Sequence, residues 1–346
     1  MLAVRRLAPG DFRSRLLRIA KLFIACVAWA ASACASHSEA DTPPRAPRPA
    51  IAAASAAAAV ASNASSGRFL ALTYNVAGLP ELLSRSQPSL YSPMIGKRLN
   101  GYDLVLLQES WQTPDPNPAA PLRCYHEMLL ETAEHPYKSP SAPQPFGNDP
   151  RRPSALLADG LNVFSKLPLA QTVRQPWGSC VDTFNDCRAL KGFSMTPMQL
   201  APGLGIHVYN LHMEAGWSAE DDAARALAID QLLMFIDLHS RGEALIVGGD
   251  FNLRDRALAA TLLGKLRERT GLVDACVRCA RPHNVDKLFY RGSDLIDLNA
   301  DLWRLETEVF KSEEGEPLSD HAPLAIRFTW SKREGGGPFE HSLRQP

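Results

Sequence analysis

Residues 244–252 read Ala244-Leu245-Ile246-Val247-Gly248-Gly249-Asp250-Phe251-Asn252, an apolar run that stops in two glycines and then turns polar. So short and so apolar a run predicts a strand covered on both faces. Its glycines would let the backbone approach a ligand closely, with Asp250 and Asn252 standing at the strand's end. Other stretches repeat the pattern. Leu70–Tyr74 stops at Asn75, Leu104–Gln108 at Glu109 and Ile206–Leu211 at His212, while Asp320-His321 stands just before the run Leu324–Phe328. Polar groups at the ends of buried strands collect at one rim of a sheet. An amide, carboxylates and two histidines gathered there could hold a hard cation and hydrolyse a phosphate ester.

The rest of the 346-residue chain is consistent with an enzyme of this kind. With 45% hydrophobic and 21% charged residues, it has the composition of a globular protein. Its 37 basic and 37 acidic side chains balance to a formal net charge of +0. That leaves no whole-protein attraction to nucleic acid or to an anionic membrane, only local basic patches such as Arg151-Arg152 or Arg254-Asp255-Arg256.

Residues 1–36 read as an export signal: six basic residues from Arg5 to Lys21, an apolar core Leu22–Ala30, then Ala31-Ser32-Ala33-Cys34. The small residues suit cleavage after Ala33 or Ala35, and the same stretch reads as a weak lipoprotein box on Cys34. Both readings stay open, and both place the mature protein outside the cytoplasm: periplasmic, an outer-membrane lipoprotein, or secreted. In an oxidising compartment Cys180 with Cys187 and Cys276 with Cys279 are natural local pairs, leaving Cys124 over, though sequence does not fix connectivity. Cys276-x-x-Cys279 with His283 nearby also reads as half a zinc site, a reading weakened because the element occurs once.

Residues 37–67, rich in Ala, Pro and Ser, read as a flexible tether, and 332–346 as a loose tail. Between them 68–331 forms one domain in which strand-like and helical runs alternate. The clearest helix is expected over about 218–240, opened by a Ser218/Asp221 capping pair, and a second over about 256–269. The proline-rich loops Thr113–Pro121 and Ser139–Pro153 are expected to border the cleft.

Taken in order, Thr73-Tyr74-Asn75-Val76-Ala77-Gly78, Leu107-Gln108-Glu109, Asn210-Leu211-His212, Gly249-Asp250-Phe251-Asn252 and Ser319-Asp320-His321 resemble the motifs of the endonuclease/exonuclease/phosphatase superfamily. Each is weak alone; five in order across about 68–330 are specific. The resemblance implies an α/β (α+β) fold, a four-layer αββα sandwich of two packed mixed sheets flanked by helices. It also implies Mg²⁺ as cofactor, with Mn²⁺ or Ca²⁺ as substitutes, held by Glu109, Asn75 and Asp320. In the same way it implies that Asp250 orients or deprotonates the attacking water and that Asn252 steadies phosphate oxygens. His212 is expected to donate to a phosphate oxygen, and His321 to act as general base, a role that Asp250 shares as alternative. Asp286, in Asn284-Val285-Asp286-Lys287-Leu288-Phe289-Tyr290, matches a family aspartate that hydrogen-bonds the final histidine.

Asp159-Gly160-Leu161-Asn162-Val163-Phe164-Ser165-Lys166, Asp186–Gly192 and His212-Met213-Glu214-Ala215-Gly216 resemble segments of the neutral sphingomyelinase branch. On that resemblance Asn162 and Lys191 contact phosphate or substrate; a solvated charge is the plain alternative for Lys191. The expected activity is a phospholipase C-type phosphodiesterase, working as a monomer at or near a membrane surface. Trp177, Trp217 and the loop near Phe146 are the candidates for touching lipid. A secreted DNase-like endonuclease and a small-molecule phosphatase are the alternatives, and a catalytically silent binding module the remote one. The other histidines, His126, His135, His207, His239 and His283, are expected to be surface or core residues.

Overall fold

The computed structural model describes residues 64–79, 81, 86–115, 123–182, 185–276 and 285–334. The export segment 1–36, nearly all of the tether and most of the tail lie outside the described residues, as do Cys279 and His283.

Two six-stranded sheets form the centre. The first contains β1 (Ser66–Asn75), β2 (Leu104–Gln108), β3 (Tyr137–Lys138), β4 (Asn162–Ser165), β11 (Ile296–Leu305) and β12 (Leu324–Lys332), in the order β11-β12-β1-β2-β4-β3. The second contains β5 (Val173–Pro176), β6 (Gly192–Ala201), β7 (Leu204–His212), β8 (Leu245–Asp250), β9 (Val273–Asp274) and β10 (Asp286–Arg291), in the order β5-β6-β7-β8-β10-β9. Each sheet holds one parallel pair, β1 with β2 and β7 with β8; the other neighbours are antiparallel.

A parallel pair needs a crossover, here a helix. Helix α1 (Pro88–Leu99) lies between β1 and β2 in the chain, and α3 (Ala219–His239) between β7 and β8. Each pair therefore ends at one rim, with Asn75 opposite Gln108 and His212 opposite Asp250 in register. Helices α2 (Tyr125–Thr132) and α4 (Arg256–Thr270) complete the outer layers.

The apolar runs carry a hidden alternation. Phe69, Ala71, Leu104 and Leu106 face Ile206, Val208, Ile246 and Leu288 between the sheets. Their neighbours Leu72, Tyr74, Val105 and Leu107 pack with Tyr91, Ile95, Leu99 and Leu129 of α1 and α2. On the far side Tyr209, Leu211, Leu245 and Val247 pack with Ile229, Leu232, Leu233 and Leu266 of α3 and α4. Helix, sheet, sheet and helix give the expected four layers. Both faces being buried, the strands read as continuous apolar runs.

The capping pair forms as expected: Asp221 N–H donates to Ser218 Oγ at 3.2 Å, and Ser218 N–H to Asp221 Oδ2 at 2.7 Å. The two glycines of β8 are a correction. A Cβ on Gly248 would fall 2.4 Å from Leu288 Cδ2 and 2.8 Å from Leu106 Cδ1, and one on Gly249 only 2.0 Å from Leu211 O. Gly249 also has φ +139°, a region nearly closed to other residues. The glycines admit the facing sheet and the neighbouring strand, not a ligand.

Cys180 and Cys187 form a disulfide with Cα atoms 5.5 Å apart. Cys124 and Cys276 are disulfide-bonded as well, so the expectation that Cys124 is left over fails, and Cys276 offers no thiolate to zinc. No helix among the described residues is long and apolar enough to cross a membrane.

Candidate active site

Asn75 is fully buried at the end of β1 and donates through Nδ2 to two carboxylates, Glu109 Oε1 at 3.0 Å and Asp250 Oδ2 at 3.2 Å. Its own Oδ1 accepts from Ala77 N–H at 3.0 Å, so the amide cannot rotate freely. Glu109 follows β2 in a left-handed conformation, φ +55°, that a glutamate seldom adopts. Burial pushes its carboxyl up, against the opposing pull of Lys191, the Asn75 hydrogen bond and His321. Two carboxylate groups sharing one amide donor, one of them made more basic by burial, fit a hard cation well. Asp320 is exposed at the same rim, bonded by Ser319 Oγ at 3.4 Å, and its charge also raises Glu109.

The second sheet supplies the rest. Asp250 Oδ1 accepts from Asn252 N–H at 2.9 Å, which fixes the carboxylate. Asn252 is left-handed too, φ +48°, and its side chain is held in place: Nδ2 donates one proton to Met213 O at 3.1 Å and Oδ1 accepts from Arg254 at 3.1 Å, leaving a second N–H for a ligand. His212, almost wholly buried, turns Nε2 toward Glu109 Oε1 at 3.7 Å and Asp250 Oδ2 at 3.6 Å. Burial, then Lys191 and His321, hold its pKa well below the usual value, so the ring is neutral. With acceptors on the Nε2 side, that nitrogen carries the proton.

Asp286 opens β10 and meets His321 Nδ1 at 2.9 Å, while His321 Nε2 faces Asp250 Oδ2 at 3.7 Å. Burial alone would lower His321, but Asp286, Asp250 and Asp320 together push it up to about 10. Asp286 is itself raised by burial and drawn back by His321. Ligand atoms of Asp250, Asp286 and His321 lie within 4.8 Å of one another. With Nδ1 of His321 already on Asp286, this trio is better suited to moving a proton than to holding a cation.

Lys191 is buried and paired with Asp186 at 2.6 Å, so the solvated-charge reading is wrong for it. Asp186 also accepts from Ala215 N–H at 2.6 Å, and Glu214 beside it is pushed up to about 8 by burial and by Asp186. Asn162 is buried at the start of β4, donating to Ser110 O at 3.3 Å, and lines a small recess with Ser110, Trp111 and Gln144. A larger cleft of about 350 Å³ adjoins it, walled by residues 142–151 of the predicted proline-rich loop and by Asp159 and Arg174.

Other expectations fail. Trp177 is buried and donates to His212 O at 2.7 Å, so it cannot enter lipid; Trp217 is 69% exposed. Arg152 is buried and spends its guanidinium on Ala189 O and Trp177 O, so it is no phosphate contact. Sequence reasoning also passed over Gln108 and Asn210. Gln108 Nε2 donates to Asn210 Oδ1 at 2.7 Å, and Asn210 Nδ2 to Leu107 O at 2.8 Å, tying the two sheets directly beneath the site. Both sat inside the quoted motifs, and an amide within an apolar run was the available signal.

A model of the endonuclease/exonuclease/phosphatase family matches residues 72–338, spanning every residue of this rim. The chain belongs to that family. A sphingomyelinase of Mycobacterium tuberculosis is 33% identical to this family member over 285 residues, 76% of this chain and 53% of that protein. The chain thus spans about half the length of the curated relatives it matches first. Among solved structures, Staphylococcus aureus beta toxin with bound magnesium ions aligns with TM-score 0.53 and 16% identity, covering 75% of this chain and 99% of that one. Danio rerio TDP2 with a single-strand DNA product aligns equally well, TM-score 0.54 and 16% identity over 76% and 99%. At these identities the structures share the fold with this family member and do not choose its substrate.

Proposed function

We propose that the chain is an exported, divalent-metal-dependent phosphodiesterase that cleaves a sphingomyelin-like lipid to release its phosphorylated head group. The observation that carries the reading is the rim itself: Asn75 between Glu109 and Asp250, faced by His321 on Asp286. Sequence similarity to the mycobacterial sphingomyelinase supports the lipid substrate. Balanced charge and the internal use of Arg152 weigh against a nuclease. A silent binding module would not need every polar group of the rim. Export rests on the N-terminal basic, apolar and small-residue segments and agrees with the Cys180–Cys187 disulfide.

Glu109, steadied by Asn75, and Asp320 would hold Mg²⁺, whose charge when bound offsets the negative charge that builds on the phosphate. Asp250 and His321 work as a pair, Asp250 Oδ2 facing His321 Nε2 at 3.7 Å. With the ring protonated, the Asp250 carboxylate remains to take the proton of the attacking water. His321 then presents Nε2–H, kept in orientation by Asp286. Neutral His212 donates from Nε2 toward the phosphate, and Lys191 adds a fixed positive charge behind it.

The test is hydrolysis by purified residues 37–346, with Mg²⁺ and with EDTA, on sphingomyelin vesicles and on plasmid DNA, with His321→Ala as control. Metal-dependent head-group release without nicking is the expected result. Nicking alone would move the protein to the nucleases, activity on neither would point to a smaller phosphoester, and an unimpaired His321→Ala would remove the rim from the chemistry.

A further inference from the structure

Behind Glu109 runs a closed ring of hydrogen bonds. Ser110, the next residue, is held by its N–H on Gly160 O at 3.0 Å, and its carbonyl accepts from Asn162 Nδ2 at 3.3 Å. Its hydroxyl meets His126 Nδ1 at 2.9 Å. The other ring nitrogen, Nε2, meets Ser141 Oγ at 2.9 Å, and Ser141 Oγ donates to Asn162 Oδ1 at 3.4 Å. Ser110, Asn162 and His126 are buried.

The ring has one direction. Asn162 must give its NH₂ to a carbonyl, so its Oδ1 accepts from Ser141. Ser141 has a single proton and spends it there, so His126 donates from Nε2. His126 Nδ1 then accepts from Ser110. A neutral imidazole is required, and burial, followed by the charges of Arg174 and Lys138, lowers His126 to about 4.

The geometry points to a role for His126 as a positioning residue that fastens the Glu109 end of β2 to the loop walling the cleft. His126 sits on α2, a layer away from the rim, and touches no reacting group. One of its nitrogens secures the residue next to the strained Glu109; the other secures Ser141, from which residues 142–151 continue as the cleft wall. Arg174 ties the same loop from its other side through Pro140 O at 2.6 Å. Metal-binding end and cleft wall thus move as one unit. The consequence for metal binding rests on the reading of Glu109 as a ligand.

The experiment compares the full chain with His126→Gln, Ser141→Ala and Ser141→Thr by hydrogen–deuterium exchange and by calorimetric titration with Mg²⁺. Expected are faster exchange over 139–153 in Ser141→Ala and His126→Gln and Mg²⁺ affinity lower by about three- to tenfold, since outer partners of a ligand typically matter at that scale or above. Ser141→Thr, which keeps the hydroxyl, should return both toward the parent. Unchanged exchange in Ser141→Ala overturns the clamp whatever the metal does. Faster exchange with unchanged Mg²⁺ affinity overturns its action on Glu109. A parent that shows no Mg²⁺ heat defeats the metal reading of the rim, and the role at Glu109 falls with it.

Discussion

His321 and Asp286 meet at 2.9 Å although they belong to different sheets: Asp286 opens β10, and His321 stands just before β12. The contact closes the rim across the sandwich and is the main attraction holding His321 up near 10. Asp286→Asn keeps the size but removes the charge. We expect kcat to fall by at least about a hundredfold with KM little changed, the signature of a group that matters in the transition state. An NMR titration should show His321 losing its proton at a lower pH. A variant with parent kcat would separate this contact from the chemistry.

Asn75 hydrogen-bonds both Glu109 and Asp250 through one amide nitrogen. In Asn75→Ala the two carboxylates lose their shared donor, and Glu109 loses one of the groups that offsets its burial. The Mg²⁺ concentration for half-maximal activity should rise by about ten- to a hundredfold. Activity at saturating Mg²⁺ should recover in part. The Mg²⁺ dependence of initial rates measures both, and an unchanged dependence would count against Glu109 as the ligand.

The strand ends were legible because each broke an apolar run with a polar residue, and the parallel pairs then brought those ends to one rim. Asp286 was legible only through its motif. The buried state of Lys191 was not, because its burial depends on Asp186 from the same loop and on Glu214, which follows a different strand. His126 and Trp177 gave no local signal: each reaches the site through one polar contact across a layer, and a lone histidine or tryptophan looks the same in any core.

Lys191 and Asp186 form an ion pair almost entirely shielded from water. Removing one partner strands the other's charge, so Lys191→Ala should cost about 3–5 kcal/mol in urea unfolding. The exposed pair Lys265–Asp230 gives the contrast, and Lys265→Ala should stay within about 0.5 kcal/mol. Equal effects would mean that Lys191 is solvated after all.

The glycines of β8 should rank in a fixed order. Gly248→Ala presses on the flexible ends of Leu288 and Leu106 and should destabilise by about 1–3 kcal/mol. Gly249→Ala meets the rigid carbonyl of Leu211 at positive φ and should lose more, with a shifted Asp250 and reduced activity as well. Unfolding midpoints of the two variants decide it; the reverse order would show that β8 yields more easily than the facing leucines.

His126 should make the fold sensitive to acid. Its ring is neutral when folded, with a pKa lowered to about 4 by burial, Arg174 and Lys138. The unfolded chain takes up a proton near pH 6.5, the folded chain only near 4. Below about 6.5 the unfolded state binds more protons, so this contribution is fully present above 6.5 and drains away as pH falls toward 4. Its size is on the order of 3 kcal/mol. Other groups titrate nearby, including His135 and Glu109, shifted down and up by burial. The measurement is therefore the difference between parent and His126→Gln in urea unfolding from pH 7 to 4.5. The variant should be the less stable at pH 7, and the gap should narrow steadily on acidification. A constant gap would mean that His126 takes up its proton at the same pH in the folded as in the unfolded chain, contrary to a buried ring whose Nδ1 accepts from Ser110.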